Sequence, residues 1–158
     1  MNDDRSVQLD RMRYTKNTAS SRLALLAIVF DVLFFISIYK SDVGTYYYTM
    51  TIGGSIIYNL IFLLAAFLCS EGVKKYQTVY SWVMIVLGIF QIARIFIIPM
   101  NAHNTMVASG PVMDDFQFIR LIVYLVASAA CLFLSAYINL QKSRALNAHV
   151  ASLQGQQA

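Results

Sequence analysis

The sequence predicts an all-α, polytopic integral membrane protein whose four transmembrane helices form an up-down bundle with both termini in the cytoplasm. Three observations carry that expectation. The chain of 158 residues is 58% hydrophobic and only 13% charged, with a mean hydropathy of +0.59, whereas a soluble domain carries roughly 25% charged residues. Four apolar segments each approach the roughly 20 residues needed to cross about 30 Å of hydrocarbon. Lysine and arginine collect at alternate gaps between those segments.

The elements follow in order. Residues 1–20 are polar and of mixed charge, and form a cytoplasmic arm; residues 21–138 form the membrane domain; residues 139–158 form a cytoplasmic tail. The first span covers about residues 23–39, entered through the capping side chains Thr18, Ser20 and Ser21 and left at Ser41, Asp42 and Gly44. Ser37-Ile38-Tyr39 is too bulky for a small-x-small cleavage site, so the span is expected to be a retained helix and not a signal peptide. The second span covers residues 50–69 and the third 79–98, where Pro99 lacks the amide hydrogen needed to continue. Gly110-Pro111 marks a turn in the longest loop before the fourth span, residues 116–138. The tail is expected to continue as a helix, with Leu146, Val150 and Leu153 on one stripe.

Direction comes from the flanks. Arg5, Arg11, Arg13, Lys16 and Arg22 precede the first span, Lys74 and Lys75 occupy the middle loop, and Lys142 and Arg144 follow the last span. Against these nine the other two loops hold Lys40 alone. Tyr46, Tyr47 and Tyr48 at one edge, and Tyr76, Tyr80, Trp82 and Tyr137 at the other, suit headgroup depth, where a ring stays dry and its polar tip wet. Short loops and the absence of N-x-[ST] sequons point to a bacterial cytoplasmic membrane.

Within this apolar frame a few polar residues stand out. Asp31 lies eight residues from Tyr39, about 12 Å down at 1.5 Å per residue. An ionised carboxylate there costs at least about 2.5–3.5 kcal/mol, so it must face protein and find a donor, or keep its proton. Asn59 lies at similar depth, Gln91 and Arg94 stand somewhat shallower, and Arg120 opens the last span. Helical spacing gives each span a small or polar face: Ala24, Ala27 and Asp31; Ser55, Asn59, Ala66 and Ser70; Ser81, Gly88 and Gln91 with Arg94 at the border; Arg120, Tyr124, Ala127, Cys131 and Ser135. Such faces pack together, because small residues let backbones approach and polar groups bond across the seam. Asp31, Asn59, Gln91, Arg94 and Arg120 are therefore expected to form an internal polar cluster, serving either as a register-fixing network or as a proton or cation site.

Enzyme chemistry is not signalled. Cys69 and Cys131 lie far apart with no C-x-x-C, and His103 and His149 fall on opposite sides of the predicted membrane. Nucleophile-elbow, zincin and phosphate-loop motifs are missing, and Asp114-Asp115 suits a helix N-terminus. The net charge of +4 flanks apolar runs without interleaved exposed aromatics, which argues for membrane orientation and against nucleic acid. No catalytic residue, cofactor or metal is expected. The expectation is a small auxiliary or regulatory subunit of a larger membrane complex, concerned with transport. The alternatives are a small homo-oligomeric transporter or channel that couples protons or cations through Asp31 and, more remotely, a lipid-modifying enzyme.

Overall fold

The computed structural model describes residues 17–39, 49–107 and 110–155. The arm through Lys16 and the segment from Lys40 to Tyr48, with its three tyrosines, lie outside them. The described chain is helical apart from one two-residue antiparallel pair. Helix α1 runs Thr18–Tyr39, α2 Thr49–Lys74 and α3 Thr78–Ile97. Pro99 stands at the first position of a short helix α4, Pro99–Asn104, where its missing amide hydrogen leaves nothing unpaired. Strands β1 (Met106–Val107) and β2 (Gly110–Pro111) follow, and α5 runs without a break from Asp115 to Gly155. The fourth span and the tail are thus one helix.

Four of these helices are long and apolar enough to cross a membrane. Their outward surface agrees: Leu60, Ile61 and Leu64 on α2 are each 62% exposed, a concentration of large apolar side chains that suits contact with lipid or with another apolar surface. Helix α5 packs along α1 and α3, α1 also packs along α2, and α2 meets α3 least of these neighbours.

Two cores fill the interior. One is built mainly of small residues, Ala24, Ala27, Ala66, Cys69 and Ala136, around Phe62, Met84 and Leu132. The other uses bulkier groups, with Phe34, Ile38, Ile98, Met113, Leu121 and Leu125. Met113, from the segment preceding α5, is wholly buried there, so part of the apolar long loop belongs to the core.

Near the small-residue core the helix ends are stitched by short polar side chains. Asn17 Nδ2 donates to Asn139 Oδ1 at 3.1 Å, and Asn139 Nδ2 in turn donates to Ser81 Oγ at 2.7 Å and Gln77 O at 3.1 Å. Ser20 Oγ donates to Ser135 O and Ser135 Oγ to Ser20 O, both at 2.7 Å. The Ser21 and Ser70 hydroxyls lie 2.8 Å apart. The turn between α2 and α3 is tight: Tyr76 takes a φ of +57°, uncommon for a residue with a side chain. Two hydroxyl and amide groups of α5 hold that turn, Ser143 Oγ on Tyr76 O at 2.9 Å and Asn139 Nδ2 on Gln77 O. Close approach is required beside it, since a Cβ on Gly72 would come within 2.1 Å of the Tyr80 ring.

Candidate functional site

Asp31 stands at the centre of a second polar group, near the bulkier core. Asp31 and Phe34 are three apart on α1, and Gln91 and Arg94 three apart on α3, so each pair shares a helix face. Those faces meet. Arg94 Nη1 and Gln91 Nε2 each donate to Asp31 Oδ1 at 2.9 Å. Gln91 Nε2 also lies 3.1 Å from Ser128 Oγ, whose hydroxyl donates to Ala27 O at 2.9 Å. The Arg94 guanidinium carbon sits 4.4 Å from the centre of the Phe34 ring and 4.8 Å from that of Tyr58. All four long helices therefore supply a member: Asp31 and Phe34, Tyr58, Gln91 and Arg94, and Ser128.

The electrostatics are those of a buried ion pair. Asp31 is 1% and Arg94 5% exposed. Neither charge is tolerable alone in such a place, and a pair holds only with good geometry and further bonds. Charge-assisted bonds from Arg94 and Gln91 supply part of this. The aromatic faces of Phe34 and Tyr58 supply more, through attraction between ring quadrupole and cation.

Satisfaction within the protein is nevertheless incomplete. Asp31 Oδ2, Arg94 Nη2, Gln91 Oε1, Tyr58 Oη, Ser55 Oγ and both amide atoms of Asn59 are buried without a hydrogen-bond partner. Among the described residues these make up seven of the eight such atoms; the other is His103 Nδ1. Beside the ion pair a cleft of about 430 Å³ lies along the seam between α2 and α3. Gly54, Ser55 and Tyr58 form one wall, and Phe90, Arg94 and Ile97 line the other. The cleft lies between the pair of neighbouring long helices that touch least.

The structure brings together Asp31, Gln91 and Arg94 and buries Asn59, but it sets Arg120 apart. Arg120 is exposed in the second turn of α5, its guanidinium carbon 5.8 Å from the Phe116 ring centre. Its expected membership of the cluster is corrected accordingly. Of the expected stripe on α5, Cys131 and Ser135 are buried and Tyr124 and Ala127 partly so, while Arg120 is exposed; Leu121, Leu125, Ser128, Leu132 and Asn139 are buried as well, so the inward face is wider than that stripe. An inward arginine at position 120 would need a second buried acid, and Asp31 already has Arg94. Ser128 was missed because a lone serine beside alanines carries no charge to attract attention. Phe34 and Tyr58 resemble the apolar and interfacial aromatics around them, and only their three-dimensional position over a cation marks them.

Among the described residues no group of three or more His, Cys, Asp or Glu side chains converges to hold a metal ion. Cys69 and Cys131 are free and buried. His103 stacks on Phe118 at 4.3 Å, with Nδ1 3.8 Å from Asp115 Oδ1. No family model matches the chain, and no curated protein or solved structure matches it.

Proposed function

We propose that this chain is a non-catalytic membrane protein acting by association, an accessory subunit of a larger membrane complex concerned with transport. In this reading four helices cross the bilayer in alternating directions, with both described ends in the cytoplasm. The bonds joining the start of α1, the end of α2, the start of α3 and α5 near Asn139 support the alternation. The excess of Lys and Arg at that same end supports the orientation.

The single observation carrying the proposal is the state of the intramembrane acid. Asp31 is 1% exposed and bridged at 2.9 Å to an arginine clamped between two rings. A coupling acid must exchange protons with water on each side in turn. One held by Arg94 and Gln91 is better suited to fixing helix register. Beyond Asn139, α5 continues to Gly155 with Gln141, Lys142, Arg144, Ala145 and Asn147 exposed, and this projection is the element we assign to docking.

The test is gentle detergent extraction of the tagged chain, with chemical cross-linking and mass spectrometry, beside a variant shortened after Arg144. The expected result is a larger membrane complex of fixed composition that the shortened variant no longer joins. Recovery of the chain only as its own dimer or tetramer would transfer the argument to an oligomeric transporter using Asp31.

A further inference from the structure

We propose that residues 53–59 of α2 form a flap: this end of the helix tilts to close the cleft on α3, and in the closed arrangement the Asn59 amide pairs with Asp31 Oδ2 and Arg94 Nη2. The inference does not depend on what the chain associates with and needs only the helix packing described above.

The fastenings of α2 are uneven. Toward its C-terminal end the Ser70 hydroxyl lies 2.8 Å from that of Ser21, and Gly72 is packed so closely that a Cβ would meet the Tyr80 ring. Over residues 53–67 the helix carries Ser55, Tyr58 and Asn59 as its polar side chains, and the polar side-chain atoms of all three are buried without a partner. The free atoms on α1 and α3 are their complement: Asp31 Oδ2 and Gln91 Oε1 accept, and Arg94 Nη2 donates. A primary amide offers both a donor and an acceptor, so Asn59 suits the carboxylate and the guanidinium together. Because these atoms are enclosed, only groups already inside the bundle can serve them.

The glycines draw the same distinction. A glycine inside a helix is disfavoured against alanine. At Gly72 and Gly88 the return is close packing, since a Cβ would come within 2.1 and 2.7 Å of neighbouring rings. At Gly53 and Gly54 a Cβ would meet nothing within 4 Å, although Gly54 lines the cleft opposite Ile97 and Ile98. Closure of α2 on α3 gives these two glycines a use. Room for it exists, about 430 Å³, between the neighbouring long helices that touch least. The motion is small. Gly54 and Asn59 stand about 24 and 16 Å along the axis from Ser70, so a tilt of about 10° about Ser70 carries them about 4 and 3 Å, within the range of helix shifts in packed proteins.

The experiment uses the full chain with Cys69→Ala and Cys131→Ala, reconstituted in phosphatidylcholine vesicles and carrying Gly54→Cys with either Ala93→Cys or Ile97→Cys. A disulfide needs Cβ atoms about 3.5–4.5 Å apart, and in the arrangement described a Cβ at Gly54 has no neighbour within 4 Å. Rapid linking within one chain on mild oxidation, mapped by mass spectrometry, therefore reports closure. It is expected for at least one pair, and should slow about five- to tenfold on adding Asn59→Leu, as the loss of one or two interhelical bonds requires. Circular dichroism confirms that each variant is folded. Folded protein that links within the chain at neither pair overturns the flap. Equal rates with and without Asn59→Leu overturn the pairing that draws it closed.

Discussion

The two polar groups of this molecule solve the same problem differently. Where Asn17, Ser20, Ser81, Ser135 and Asn139 meet, every side chain is small and each has a partner, and none of their atoms is left unpaired. Alanines at positions 24, 27, 66 and 136 and the buried glycines 72 and 88 let the backbones close upon that end. At the other end the groups are an ion pair and the longer amide of Gln91, the bulkier core of Phe34, Met113 and Leu125 lies nearby, and most of the unpartnered buried atoms belong to this group and its neighbours on α2. A buried polar group left unmade costs about 1–3 kcal/mol. The serine end escapes that penalty by fit; the arginine end carries it beside a cleft. Complete pairing marks a fastening, and incomplete pairing marks the end where polar groups are held at a cost.

The largest effect should come from splitting the ion pair. Arg94→Ala leaves the Asp31 carboxylate buried with Gln91 as its remaining donor, and a broken buried pair costs about 3–5 kcal/mol. Unfolding of the purified protein in detergent, followed by circular dichroism, is expected to show that loss. The double variant Asp31→Leu/Arg94→Met removes both charges and should recover most of it. If the double variant is no better than the single one, the pair is not acting as a mutual lock.

At the serine end the vulnerable feature is space. A Cβ on Gly72 would come within 2.1 Å of Cδ2 and 2.4 Å of Cγ of Tyr80, so the root of the ring must move, not only its tip. Gly72→Ala should cost about 1–3 kcal/mol, the usual range for overpacking, and adding Tyr80→Ala should return part of it. Asn139→Leu comes next. It removes the acceptor of Asn17 and the donor to Ser81 and Gln77; interhelical bonds in membranes average about 0.6 and reach about 1.7 kcal/mol each, so a loss of about 1–2 kcal/mol is expected in the same assay. Amide exchange at the Tyr76 turn should rise with it, because Asn139 also holds that turn.

Much of this arrangement could be foreseen from residue order, and its failures have physical causes. Span length and hydropathy located the four long helices, because lipid leaves a backbone no alternative to internal hydrogen bonding. Depth arithmetic set Asp31 and Arg94 within reach, and their side chains lie 2.9 Å apart. On α5 the inward face is wider than the expected stripe, of which Cys131 and Ser135 are buried and Arg120 is exposed. Near the start of α5, Leu121 and Leu125 take the inward place, about 100° around the axis from Arg120 and Tyr124, because bulky apolar groups fill that part of the seam; farther along, Cys131 and Ser135 are buried as their polarity and size suggested. The cleft had no signature at all. It lies between the two neighbouring helices that touch least, and how closely two helices pack is a property of the pair.

The smallest effects give the sharpest contrast between the two ends. Tyr58→Phe deletes a hydroxyl with no partner and keeps the ring beneath the Arg94 guanidinium; Ser55→Ala deletes another. In detergent both should leave stability within about 0.5 kcal/mol of the parent. Ser20→Ala is an equally small deletion, yet it removes a hydroxyl held at 2.7 Å by the Ser135 carbonyl, and should cost about 0.6–1.7 kcal/mol. Asn59→Leu carries the logic one step further: neither of its amide atoms is bonded although the residue is 3% exposed, so the substitution should be neutral or stabilising. The sign matters more than the size, because only groups already unpaired in the folded protein can be removed without loss. If Ser55→Ala and Asn59→Leu cost as much as Ser20→Ala, the arginine end is as fully fastened as the serine end and the distinction between them fails.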